Sequence, residues 1–385
     1  MVRDYLSLRV VILGASVLAI AYAGLLAYPC EAASSDYAAP QVAPASALPQ
    51  LSSMAQIAAI LNETAPGQST DPPVALYQVD SWDNATQGRA SAAPLKIVQT
   101  DLAKCSDTSK CPPYLGVFHN PINSTQFATY LSYSADLKSW YTLGQIHSPA
   151  AQPDIRILSD DSVIYAEEYN PSGRPYIRVH YYGNPPGTGV TGLQALINNP
   201  ATTPTSALTF PGTPFAKADG TPEFGRISYS GSISSSELEI THHYFHLGQR
   251  DLQADGTLTN FESWSSSSDD TINDLVSSAG GNGKIGDREI FKAGPGVYEV
   301  VEAQVNPTSG NDFGSWRLFL IDRTKSVIQK LSPVLKGGAQ SLGNPTVSFV
   351  TLPNGAPALV FTCFIFGTNN GMTPPGGYLF VYPFQ

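Results

Sequence analysis

The chain is short of charge. Lys and Arg number 21 against 31 Asp and Glu in 385 residues, so only 14% of positions are ionic and the formal net charge is −10. Nucleic-acid binding relies on clustered cations that displace counterions from phosphates, and this balance excludes such a partner. Cysteine is scarce too, at four residues. Neither a CxxC pair nor a Cys/His cluster at zinc spacing occurs, which removes cysteine-based metal ligation. Also missing are a G-x-S-x-G elbow, a P-loop and a G-x-G-x-x-G turn opening a helix, so elbow-type serine hydrolysis and nucleotide cofactors are not implied. Helical periodicity is almost absent, and with it goes a helical bundle.

What is plentiful points the other way. Glycine (33) and proline (31) punctuate a chain that is 42% hydrophobic and 10% aromatic. From Ala75 onward, runs such as LKIVQTDL, PYLGVFHN, FATYLSYS, SVIYAEEYN, PYIRVHYYG, WRLFLID and ALVFTCFIF are rich in Val, Ile, Tyr and Phe. Turn residues bound them, so they read as short strands of an all-β domain too large for one immunoglobulin-like sandwich. Three stretches share a plan of strand, Asp or Gly turn, aromatic strand and third strand; a unit of roughly 50 to 70 residues predicts about five blades of a β-propeller. No G-H/W-D signature marks it as a WD40 array.

Residues 1–32 read as an export segment. Arg3 and Arg9 precede an apolar run from Val10 to Tyr28, with small residues suited to cleavage after Ala23 or Ala32. The run is also long enough to stay as an N-terminal membrane anchor, the one membrane association expected. Either way the remainder is secreted or displayed at the cell surface, where disulfides are permitted. Cys105 and Cys111 bracket a short polar loop that one bridge can close, whereas Cys363 lies in an apolar strand and reads as a buried, inert thiol. Residues 33–74 are an Ala/Pro/Ser-rich linker in which Leu51, Met54, Ile57, Ala58 and Leu61 fall at the spacing of a short helix. Residues 75–385 form the main domain, expected to be a monomer.

One segment carries a family likeness. Tyr130 to Gly144, YLSYSADLKSWYTLG, resembles the S-x-D-L-x-x-W-x-x-x-G element of five-bladed propeller glycosidases, the family 43 arabinanase and xylosidase group and its invertase and levansucrase relatives. Ser134, Asp136, Leu137 and Trp140 match it, and the likeness implies that the Asp caps a turn and the Trp packs beneath a blade. The sialidase Asp-box is a rival, but Lys138 stands where that motif has Gly.

The likeness further implies three acids at the inner ends of successive blades. Asp80, in Val79-Asp80-Ser81-Trp82, resembles the first; Asp154, in Gln152-Pro153-Asp154-Ile155-Arg156, the second; Glu223, in Thr221-Pro222-Glu223-Phe224, the third. It implies Glu223 as general acid with its pKa raised beside Phe224, Asp80 as base or nucleophile, and Asp154 as the group that orients the sugar. Trp82, Arg288 and Glu289 are the substrate-binding candidates, Arg288 as a clamp for a hydroxyl or carboxylate. The plainer alternatives are a turn hydrogen bond for Asp80, a strand start for Asp154, a solvated loop for Glu223 and a surface ion pair for Arg288.

His242, His243 and His246 sit in a strand-like run without the Glu of a helical HExxH motif, so no metal site is assigned to them. No cofactor is required, and a structural Ca2+ in the axial channel is the one ion the likeness allows. Tyr165, Tyr169, Tyr181, Tyr182, Tyr244 and Trp264 suit either stacking on sugar rings or ordinary strand packing. The expected partner is a poly- or oligosaccharide.

Overall fold

A computed structural model describes residues 51–384, apart from 52, 63–74, 79, 83–88, 92–93, 101–111, 124–125, 158–159, 170–175, 210–222, 231–236, 244–250, 258–259, 284, 309–311, 334–340 and 367–375. Among the described residues most are β-strand, gathered in five sheets whose pairs are antiparallel except β2 with β7, which is parallel. Strand β1 (Ala75–Gln78) precedes sheet I, formed by β2 (Asp80–Trp82), β3 (Arg89–Ser91), β4 (Lys96–Gln99), β5 (Tyr114–Pro121), β6 (Phe127–Ser134) and β7 (Tyr141–His147) in the order β3-β2-β7-β6-β5-β4. Sheet II runs in chain order from β8 (Ala150–Ile157) through β9 (Val163–Tyr169) and β10 (Tyr176–Tyr182) to β11 (Ser206–Thr209). Sheet III runs likewise through β12 (Glu223–Ser230), β13 (Glu237–His243), β14 (Asp251–Thr257) and β15 (Asn260–Asp269). Sheet IV has β16 (Ile285–Ala293), β17 (Gly296–Gln304), β18 (Trp316–Asp322) and β19 (Val327–Lys330). Sheet V has β20 (Leu342–Thr351), β21 (Pro357–Ile365) and β22 (Gly376–Pro383), and β1 completes it by pairing Ala75 with Val381.

The leading strands meet one another. β4 packs on β8, β8 on β12, β12 on β16, β16 on β20 and β20 on β4, which closes a ring. Sheets in such a ring are covered on both faces, so their strands need no polar side. β21 shows the result: Leu359, Phe361, Cys363 and Ile365 join the core shared with sheet IV, while Ala358 and Val360 join the core shared with sheet I. A further core lies between sheets I and II, where Leu115, Val117 and Leu131 meet Ile155, Val163 and Tyr165.

Among the described residues three α-helices flank the sheets. α1 (Met54–Asn62) forms where the apolar spacing predicts, its first turn capped by the Ser53 hydroxyl, which accepts from the Gln56 amide at 3.3 Å. It buries Ile57, Ala58 and Leu61 against sheets IV and V. α2 (Gly192–Asn198), capped by Thr191, covers the I/II core with Leu193, Leu196 and Ile197. α3 (Asp270–Ser278) places Ile272 and Val276 on sheet IV.

The element around Trp140 is built as its residue types require. The Ser134 hydroxyl accepts from the Leu137 amide at 2.9 Å, and Asp136 Oδ1 accepts from Lys138 and Ser139 amides at 2.7 and 2.8 Å. These bonds hold Leu137 at φ 64°, a left-handed conformation costly for a Leu, and Trp140 Nε1 donates to the Leu137 carbonyl at 3.1 Å. The indole is then buried between sheets I and V beside Leu95, Tyr114 and Phe118.

Candidate active site

The leading strands of sheets II to V each carry a one-residue bulge at the same place. Ala151 pairs with Glu168 but Asp154 with Ala166; Phe224 with His242 but Ile227 with Ile240; Ile285 with Ala303 but Arg288 with Val301; Gly343 with Phe364 but Thr346 with Thr362. A bulge bends its strand and re-aims side chains, and bulges collect beside functional sites. Gln152 and Asn344, each first in its bulge, are left-handed at φ 47° and 49°. Amides freed by the bulges are answered by Glu302 on β17, which accepts from Asp287 at 2.8 Å and from Asn344 at 2.5 Å. A Cβ on Gly286 would overlap the Glu302 carboxylate and one on Gly343 would stand 2.5 Å from it, so glycine is needed at both positions.

Inside the ring sits a four-residue ionic cluster. Lys96 Nζ of β4 lies 3.9 Å from Asp154 of β8 and is ion-paired with Glu289 of β16. Arg156 reaches Asp154 at 3.4 Å and Glu289 at 2.8 Å. Lys96, Asp154 and Glu289 are buried, and two cations against two carboxylates make that burial tolerable. Burial alone would weaken the Arg156 charge; Asp154 and Glu289 outweigh it and hold its pKa above the usual arginine value.

Beside the cluster the protonation states divide. Glu167 and Glu168 are consecutive on β9 and therefore face opposite sides of sheet II. Burial would raise Glu167, but hydrogen bonds from His147 and His180 prevail and hold it well below the usual carboxylate range. Among the described residues Glu168 has no such donors, and burial first, then the charge of Asp287 on β16, push it up to about 7. Asp287 is itself buried in the bulge of sheet IV. A carboxyl raised to about 7 by burial and by the charge of a second carboxyl is the arrangement that acid/base chemistry needs.

The sequence candidates fare unequally. Asp154 and Glu223 lie on leading strands of adjacent sheets, Glu223 paired with His243. Asp80 and Trp82 do not, against the expectation of acids at the inner ends of successive blades. Their strand β2 lies toward the far edge of sheet I, with β7, β6 and β5 between it and β4. At about 4.8 Å per strand the backbone of Asp80 is roughly 19 Å from β4. The cause is the path of the chain: β1 is taken by sheet V, β2 is added at the outside of sheet I, and Lys96 occupies the inner strand instead.

Arg288 is also corrected, both as a ligand clamp and as a surface pair. It is fully enclosed, with Nε 3.3 Å from Glu299, whose other oxygen is 3.7 Å from Arg323. Glu289 faces Lys96 and Arg156 in the cluster. Tyr165 and Tyr182 are buried and serve packing. Cys363 is a free buried thiol, as its strand suggests, whereas Cys30, Cys105, Cys111, His246 and Tyr244 lie outside the described residues.

Lys96, Glu168, Asp287 and Glu302 were not singled out from the sequence. The available signal was charge inside apolar strands, as in VIYAEEY and IGDREIF, where both faces are covered and an ionic residue has to have a partner.

No family model matches the chain, and no curated protein matches it. Solved structures do align with it. An N-acetylgalactosamine deacetylase from F. plautii is 9% identical, with TM-score 0.47 over 84% of this chain and 95% of that one. The endo-arabinase from Bacteroides thetaiotaomicron VPI-5482 is 10% identical, with TM-score 0.43 over 76% and 94%. The GH43_1 enzyme from Xanthomonas citri is 11% identical, with TM-score 0.42 over 85% and 93%. The last two belong with the glycosidase group named from Tyr130 to Gly144.

Proposed function

We propose that the chain is an exported five-bladed β-propeller that hydrolyses glycosidic bonds of a poly- or oligosaccharide, as a monomer and without a required cofactor. The observation that carries this reading is the pair Glu168 and Asp287, the first raised to about 7 by burial and by the charge of the second, Glu168 on β9 beside the bulge of β8 and Asp287 within the bulge of β16. Glycosidic cleavage needs a carboxylic acid to protonate the leaving oxygen and a carboxylate to attack the anomeric carbon or activate water. Glu168 takes the first role and Asp287 the second. Asp154, tied to Lys96 and Arg156, keeps the orienting role, and Glu223 opens the leading strand of the sheet between theirs.

The test is a sugar-release assay on a panel of polysaccharides and aryl glycosides with intact protein, Glu168→Gln and Glu223→Gln. Turnover by the intact protein and a loss of about 10²- to 10⁴-fold in Glu168→Gln are expected. Equal activity in the two would remove Glu168 from the mechanism. No turnover on any substrate would leave a propeller that only binds glycan or protein.

A further inference from the structure

Away from the ring, sheets I and II share a second polar cluster. His147 on β7 and Glu167 and His180 on β9 and β10 each offer one ligand atom, all within 4.8 Å of one another. His147 Nδ1 is 3.0 Å from Glu167 Oε2 and His180 Nε2 is 3.3 Å from Glu167 Oε1. We infer that these three side chains bind one divalent transition ion of the Zn2+ type, linking the two sheets.

Three considerations support the assignment. A tetrahedral Zn2+ at about 2.1 Å from its ligands holds them roughly 3.4 Å apart. One separation already matches, His147 Nδ1 to Glu167 Oε2 at 3.0 Å; the three ligand atoms all lie within 4.8 Å of one another, so the His180 nitrogen has only a short way to move in. Donor chemistry comes second: two imidazoles with one carboxylate suit Zn2+, Co2+, Ni2+ or Cu2+ and disfavour Ca2+ and Mg2+, which take oxygen. The third is support from the surroundings. Arg178 grips Glu167 Oε1 through Nε at 3.1 Å and Nη2 at 2.6 Å, which leaves Oε2 as the ligand atom. Tyr165 and Thr129 hydroxyls donate to Oε2 at 3.0 and 3.3 Å and fix its direction, the task of outer-shell partners.

The His147 side chain is 20% exposed, which gives an ion a way in and leaves a position for water.

The intact chain, stripped with a chelator, is titrated with Zn2+ by calorimetry and with Co2+ by visible absorption. One ion per chain with a Kd below about 10 μM and a tetrahedral Co2+ spectrum are expected. His147→Ala and Glu167→Gln should each weaken binding at least about 100-fold, since outer-shell partners alone are worth 10- to 100-fold. His147 is partly exposed, so its variant should keep the melting temperature of the ion-free protein, which separates ligand loss from misfolding. Absence of one-to-one binding, or full affinity in a folded His147→Ala, would overturn the site. Neither readout depends on hydrolysis.

Discussion

Replacing Glu168 with Gln should make the protein more stable in mild alkali while disabling it. A carboxyl moved from 4.5 to about 7 on folding binds more protons folded than unfolded throughout that interval. Stability therefore falls as pH rises from about 4.5 to 7 and levels off beyond. The displacement corresponds to roughly 3 kcal/mol at 1.36 kcal/mol per pKa unit. Glu168 keeps some contact with water, and screening reduces the figure to about 1–2 kcal/mol. Gln cannot ionise. Chemical denaturation of both proteins at pH 4, 6 and 8 should give matching stabilities at pH 4 and a variant advantage of about 1–2 kcal/mol at pH 8. In the same protein kcat/KM should fall above pH 7 as the acid loses its proton, a limb absent from the variant's residual activity. A stability difference unchanged between pH 4 and 8 would refute the buried-acid reasoning, whatever the kinetics showed.

Other changes test the frame around the site. Lys96→Met removes a cation from between Asp154 and Glu289 and should cost about 3–5 kcal/mol, read by urea melts at pH 7. In Gly286→Ala the new methyl meets Glu302 and should lower stability by about 1–3 kcal/mol, with activity falling as the bulge shifts. Trp140→Ala opens a cavity between sheets I and V and should cost about 3–5 kcal/mol in the same assay without altering the pH profile of residual turnover.

Much of this frame was legible in the sequence because strands covered on both faces read as unbroken apolar runs. LVFTCFI lies in β21, and Tyr130 to Trp140 announced its own turn through Ser134 and Asp136. The helices were harder. α2 and α3 are short and embedded in polar sequence, and Thr191 before GLQALIN was the one cap that could have flagged α2. The candidate site was legible only where chemistry and local pattern coincide, as at Asp154. Lys96 meets Glu289 across 193 positions of chain, and no local spacing encodes that. Asp80 misled for a related reason: its neighbours look like the start of a leading strand, but strand order is settled by which sheet claims β1.

That claim by β1 also governs how the molecule is made. Ala75–Gln78 is made some 300 residues ahead of its hydrogen-bonding partner, Gly376–Pro383. Until then an unpaired edge waits in the nascent chain, inviting association with other chains. Closure across some 300 residues is entropically slow. Sheet V is thus a latch that fastens only once β22 has been made, and a lesion in β1 or in β22 should yield the same unlatched, aggregation-prone product.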